Sequence, residues 1–255
     1  MIIDFHTHNS QPDFANIERA LARAKQLGIE LMGNLGDVLV HGLFPVAEEV
    51  KAINDRSLAI DKQYSKYIFS FCFLNPDNEI EFSLAEIERC LVRDGKNFVG
   101  IKLEASLNCR NAKLDPIMAR AEALNCCVIQ HAWYKASNKH PEESDPADIA
   151  DLARRFPKVK IICPHLAGIG RRGVLDLAPH TNVLVDTSGG QPINGALVEY
   201  AVEKLGAERI LFGSDLYGAA GRDPACQLGR LLGSDISAHD KELITGLNAK
   251  RILGL

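Results

Sequence analysis

Eight short runs rich in β-branched and apolar residues alternate along this chain with longer stretches of helical periodicity, a rhythm that commits it to repeated β-α units and a parallel sheet. The runs fall at residues 2–8, 30–33, 67–74, 97–104, 126–131, 159–165, 182–187 and 209–214. The helices between them carry start and stop signals. Residues 16–27 have apolar positions at helical spacing and end on Gly28, and residues 45–62 form a longer segment. Ser83 and Glu86 have the spacing of a capping box for a helix running to Val92. Asp115-Pro116 and Asp145-Pro146 put proline in a first turn, where its missing amide costs little. No linker, low-complexity tract or repeat interrupts the pattern. The expectation is therefore an α/β fold: one domain over residues 1–255, a closed (β/α)8 TIM barrel. An open doubly wound sheet is the rival, but neither a G-x-G-x-x-G fingerprint nor a P-loop is present.

In such a barrel the active site forms where the strands end. The first run is Ile2-Ile3-Asp4-Phe5-His6-Thr7-His8, and strict alternation puts Asp4, His6 and His8 on one face. Two imidazoles two residues apart at a strand end can grip one divalent cation. Later runs finish on His131 and His165, and Asp215 follows the last. In the fourth run, Lys102 and Glu104 share the inward face. Glu104 lies nearer the rim and could bridge two metals, and Lys102 lies lower, as an ion-pair partner or substrate contact. The bland alternative is a buried Lys102–Glu104 pair that fills the barrel. The candidate ligands are thus His6, His8, Glu104, His131, His165 and Asp215. They suit one or two divalent ions, zinc first, with manganese or iron as alternatives. Candidate substrate contacts are Lys102, Arg110, Tyr134, His140 and Arg222, the arginines because guanidinium clamps carboxylate or phosphate in bidentate fashion. Lys135 sits in the same loop, where with Tyr134 and His140 it could line a substrate pocket. His180 and His239 read as surface or capping groups, and Asp186 with Ser188 as support behind the site.

Several segments together resemble one family. They are the Ile3-Asp4-Phe5-His6-Thr7-His8 start, Gly100-Ile101-Lys102-Leu103, His131, Pro164-His165-Leu166-Ala167-Gly168, Val185-Asp186-Thr187-Ser188-Gly189, Gly213-Ser214-Asp215 and Asn248-Ala249-Lys250-Arg251-Ile252-Leu253. The likeness is to the amidohydrolase superfamily, and within it the amidohydrolase-related branch of metal-dependent hydrolases and some decarboxylases. It implies His6, His8 and His131 as ligands and Asp215 as ligand and proton acceptor. His165 becomes a second-metal ligand or a catalytic hydrogen-bonding group. The chain departs from the carboxylated-lysine subtype, since Lys102 lies where that lysine is sought while Glu104 is the better-placed oxygen donor.

Composition excludes other classes. A formal net charge of -4 offers no basic field for nucleic acid. No stretch reaches the roughly 18 apolar residues of a membrane helix, and no signal-like segment opens the chain, so a cytoplasmic protein is expected. The 7 cysteines lack C-x-x-C spacing and read mostly as core residues. Without a G-x-S-x-G elbow or an argued thiol base, metal-activated water is the expected nucleophile. The leading expectation is a hydrolase of a C-N or C-O acyl bond in a small molecule such as an amide, lactam or lactone. The alternatives are a metal-dependent decarboxylase of an unsaturated or aromatic acid, and a barrel that binds without turnover. Homo-oligomerisation stays open.

Overall fold

The computed structural model describes residues 1–8, 14–36, 41–135, 137–189, 195–217 and 223–255. Parallel strands run in sequence order around the sheet: β1 (Ile2–His8), β2 (Ile29–Asn34), β3 (Ile68–Leu74), β4 (Phe98–Leu103), β5 (Cys127–Gln130), β6 (Ile161–Cys163), β7 (Val183–Asp186) and β8 (Ile210–Leu211). A two-residue strand, β9 (Leu216–Tyr217), follows β8 and pairs with β1 through Thr7–Leu216 and His8–Tyr217. Between them, the Phe5 amide donates to the Phe212 carbonyl and the Asp215 amide to the His6 carbonyl, both at 2.8 Å. The stretch after β8 therefore lies along β1, and the result is the (β/α)8 barrel that the strand rhythm anticipates.

Helices cover the outside: α1 (Phe14–Gln26), α2 (Ala47–Tyr64), α3 (Ile80–Ile87), α4 (Asp115–Leu124), α5 (Pro146–Arg155), a single turn α6 (Pro164–Ile169), α7 (Arg171–Leu177), α8 (Gly195–Leu205), α9 (Pro224–Leu232), α10 (Ala238–Glu242) and α11 (Asn248–Leu253). Asp145 caps α5 by accepting from the Ala147 and Asp148 amides, as its Asp-Pro start suggests. The Ser83–Glu86 capping box does not form. Ile80 and Phe82 pack against the core and extend α3 backward to Ile80, leaving Ser83 buried within it. Glu86 is taken by Arg89 (2.7 and 2.8 Å) and Asn54 (2.9 Å). Beyond α3 the chain continues as a π-helical segment over Glu88–Asp94. Among the described residues, no helix is long and apolar enough to cross a membrane.

Two apolar layers result. The outer one packs helices on the sheet, and the inner one fills the barrel with Ile3, Phe5, Phe69, Phe71, Ile129, Ile162, Leu184 and Leu211. Above the inner layer the same inward register turns polar. On β4 it runs Gly100, Lys102, Glu104; on β5, Cys127, Ile129, His131; past β7 and β8 it reaches Asp186 and Asp215. β1 breaks its alternation, because its register against β2 shifts between Asp4 and Thr7. Ile3 and Phe5 join the inner apolar layer while His6 and His8 reach the cavity above it, so Asp4 does not join the histidines. Its Oδ1 instead accepts from the amides of His6 (3.2 Å) and Ser214 (2.9 Å).

Candidate metal centre

At the C-terminal mouth of the barrel lies a cavity of about 130 Å³, walled by His6, His8, Leu43, Lys102, Glu104, Ala105, His131, Trp133, Lys135, Glu143, His165 and Asp215. Its tightest grouping is His6, His8 and Asp215, whose ligand-type atoms all lie within 4.8 Å of one another and are buried. Nε2 of His6 and Nε2 of His8 are 3.3 Å apart, and Oδ1 of Asp215 stands 3.6 and 3.4 Å from them.

The partners behind the rings set their tautomers. His8 Nδ1 faces the Gly36 carbonyl at 3.1 Å, and a carbonyl can only accept. His6 Nδ1 faces Asp186 Oδ2 at 2.8 Å. Burial would raise the Asp186 carboxyl, but His6 beside it holds it below the usual carboxylate range, so it too accepts. Both protons therefore sit on Nδ1, and the two Nε2 lone pairs point at each other and at a carboxylate. Burial alone would also raise Asp215, yet His8, His6 and His165 keep it well below the usual range. Three electron-rich atoms converging in a buried space are reconciled by a cation, and this donor set of two imidazoles and one carboxylate suits a divalent one.

Local backbone supports the grouping. Asp215 has φ +62°, an uncommon conformation for a residue with a side chain, held by the hydrogen bond its backbone N–H donates to the His6 carbonyl. Gly213 lets the chain after β8 come this close: a Cβ there would lie 2.8 Å from His6 Cβ and 3.3 Å from Asp186 Cγ. After β6, Pro164 ends the strand and residues 165–169 all take positive φ, a left-handed turn that tucks His165 against the site. His165 is 3 % exposed, and burial lowers its imidazole to about 3, so the ring is neutral. Ser188 Oγ accepts from the His165 amide (3.3 Å) and stands 3.2 Å from Nδ1, which fixes the ring's orientation and leaves Nε2 toward the cavity.

The other wall carries a chain of ionisable groups in contact. Lys102 Nζ is 2.8 Å from Glu104 Oε1, Glu104 Oε2 is 3.6 Å from His131 Nδ1, His131 Nε2 is 3.1 Å from Glu143 Oε1, and Lys135 Nζ is 2.7 Å from the same oxygen. Burial pushes both carboxyls up, but Lys102 and His131 hold Glu104 down at about 2, and His131 and Lys135 do the same for Glu143 at about 2. Glu104, His131 and His165 thus line the cavity without joining the tight triad. The substrate contacts expected from sequence divide. Lys102 lines the cavity. Tyr134 turns away, its hydroxyl donating to Asp176 Oδ2 at 2.5 Å. Arg110 is mostly exposed and pairs with Asp148 at 2.5 Å. His140 packs against Phe44 in a tilted ring contact at 4.6 Å. Arg222 lies outside the described residues. Cys109 is buried beside Ser144 with its thiol pushed up to about 12 by burial.

Trp133 and Glu143 were not anticipated. The signal for Trp133 was present, because alternation past β5 puts 131, 133 and 135 on one side and Tyr134 on the other. Glu143 sits in a loop with no periodicity to mark it.

Two expectations follow. Asp186→Asn, which weakens the acceptor behind His6, should reduce zinc affinity about 10–100-fold, read by competition with a chelating indicator; unchanged affinity would show that His6 is oriented by something else. In metal-free protein, His165 has a folded value of about 3 against 6.5 unfolded, so its contribution to stability is complete above pH 6.5 and is lost as pH falls toward 3. Denaturant midpoints across that window should fall, and His165→Asn should remove the upper part of the decline.

A family model described as amidohydrolase matches residues 3–255. A search of curated proteins finds no match. Among solved structures, 2,6-dihydroxybenzoate decarboxylase from Rhizobium aligns with TM-score 0.78 at 16% identity, covering 99% of this chain and 98% of its own. A dihydroxybenzoic acid decarboxylase from Polaromonas sp. JS666, with bound manganese and the inhibitor 2-nitroresorcinol, aligns with TM-score 0.76 at 18% identity, covering 100% and 97%. 4-Oxalomesaconate hydratase from Rhodopseudomonas palustris aligns with TM-score 0.74 at 16% identity, covering 100% and 96%. At these identities the likeness is one of fold.

Proposed function

Because this chain belongs to the amidohydrolase family, we propose that it is a divalent-metal-dependent decarboxylase of a small planar carboxylic acid, aromatic or unsaturated. The observation that carries the reading is the His6–His8–Asp215 triad at one side of a cavity of about 130 Å³ whose wall includes a flat indole. The cavity's volume is close to the roughly 150 Å³ that holds one benzene ring, so it suits no more than a single ring, whose substituents would reach toward the triad and the open mouth. Trp133, its ring centroid 4.4 Å from that of His165, offers the face on which such a ring would stack. The fold neighbours that act on dihydroxybenzoates support this reading over hydrolysis.

His6, His8 and Asp215 would hold the cation, which when bound supplies a positive anchor for the substrate's carboxylate and a neighbouring hydroxyl. Zinc and manganese both suit this donor set. Glu104 stays paired with Lys102, which favours one ion over a bridged pair. Loss of carbon dioxide replaces a C–C bond with a C–H bond, so one proton must reach the vacated carbon. Asp215 carries it: its carboxylate would take a proton from solvent water at one oxygen and pass it to the carbon, whose electron pair comes from the broken C–C bond as carbon dioxide leaves. His165, neutral with Nε2 toward the cavity, would donate a hydrogen bond to the substrate's oxygen and stabilise charge there. Trp133 and Leu43 exclude water from the ring face.

The test is to offer zinc- or manganese-loaded protein a panel of hydroxybenzoates alongside matching lactones and anilides. Carbon dioxide release, with one deuterium at the vacated carbon in D₂O, is expected. Cleavage of a lactone or anilide with no carbon dioxide from any acid would overturn the reading in favour of hydrolysis.

A further inference from the structure

The cavity wall away from the triad ends in a cation. From His6 the ring centroids step 5.6 Å to His165 and 4.4 Å to Trp133, and Lys135 Nζ stands 5.4 Å from the Trp133 ring centroid. Lys135 is a third exposed, so it faces the open side of the cavity, whereas Lys102 is fully buried beneath Glu104. An ammonium has three donors, and Glu143 Oε1 takes one. That oxygen also faces His131 Nε2 at 3.1 Å, so one carboxylate serves two nitrogen partners. Tyr134, next to Lys135, points away to Asp176 and so does not share the lysine's side of the wall.

We propose that Lys135 is a specificity-determining residue that selects substrates bearing a second anionic group, so that the acid taken by this site is a planar dianion with one carboxylate toward the triad and the other on Lys135. The proposal rests on the reading of the cavity as a site for planar acids, but not on turnover. A charge-assisted hydrogen bond at a partly desolvated position is strong enough to separate one-carboxylate from two-carboxylate ligands by roughly tenfold or more. Trp133 is the single tryptophan of the chain and lies in the wall itself, so its emission reports occupancy directly.

The experiment titrates zinc-loaded protein with benzoate and with isophthalate, following Trp133 emission and checking both affinities by calorimetry. Wild type is expected to bind isophthalate at least about tenfold more tightly, and the preference should weaken as salt rises. Lys135→Met should bring the two affinities within about twofold of each other, with isophthalate losing more than benzoate, and Lys135→Arg should retain the preference. An equal preference in wild type and Lys135→Met, or none in wild type, overturns the proposal. Because binding is scored without chemistry, failure to release carbon dioxide would sink the decarboxylase reading and leave this result standing, and the reverse also holds.

Discussion

Asp215→Asn is expected to lower turnover of the acid found in the carbon dioxide screen by about 10²–10⁴-fold while leaving the barrel folded. Asparagine keeps the shape of the side chain and is among the few residues that accept positive φ, so the backbone at +62° is not strained further. It cannot take and return the proton as a carboxylate does. It is also the poorer metal ligand, so zinc content must be measured beside kcat. A variant that keeps its metal and its wild-type kcat would remove Asp215 from the chemistry. Asp215→Ala is the weaker test, since it changes ligand, proton carrier and backbone preference together.

The second large effect lies in the cavity wall. Lys102→Met should destabilise the protein by about 3–5 kcal/mol, because it strands the Glu104 carboxylate in a site only 4 % exposed. Chemical denaturation at pH 7 measures it. The sign of the pH dependence follows from the pairing. In wild type Glu104 is held at about 2 against 4.5 unfolded, so its stabilisation is complete above pH 4.5 and lost as pH falls toward 2. In Lys102→Met burial acts without the ammonium beside it and the carboxyl value rises, so the cost of the substitution should shrink on acidification. Adding Glu104→Gln should recover much of the loss. If Lys102→Met is as stable as wild type, the pair is not what settles Glu104.

Much of this was legible in the residues, and the failures have physical causes. Alternation of strand and helix identified the barrel because parallel strands buried on both faces leave near-continuous apolar runs. The strand ends located His6, His8, His131, His165 and Asp215 because a parallel barrel gathers those ends on one rim. Asp4 was misplaced because a register shift inside β1 is invisible to a rule of strict alternation. Arg110 and Tyr134 were misjudged because loop side chains take their direction from neighbours, Asp148 and Asp176, that adjacency in sequence does not reveal. The left-handed turn after β6 could not be read from Pro164-His165-Leu166-Ala167-Gly168, since only Gly168 favours that conformation by itself.

The hydrogen bonds from Phe5 to Phe212 and from Asp215 to His6 make the seam of the barrel and the metal triad one piece of architecture. His6 and His8 belong to the first strand and Asp215 to the stretch that follows the eighth, so a cation bound by all three works as a clasp across the join. Occupancy and circular closure rise together, and amides along that join should be the ones whose hydrogen exchange slows most when metal is added.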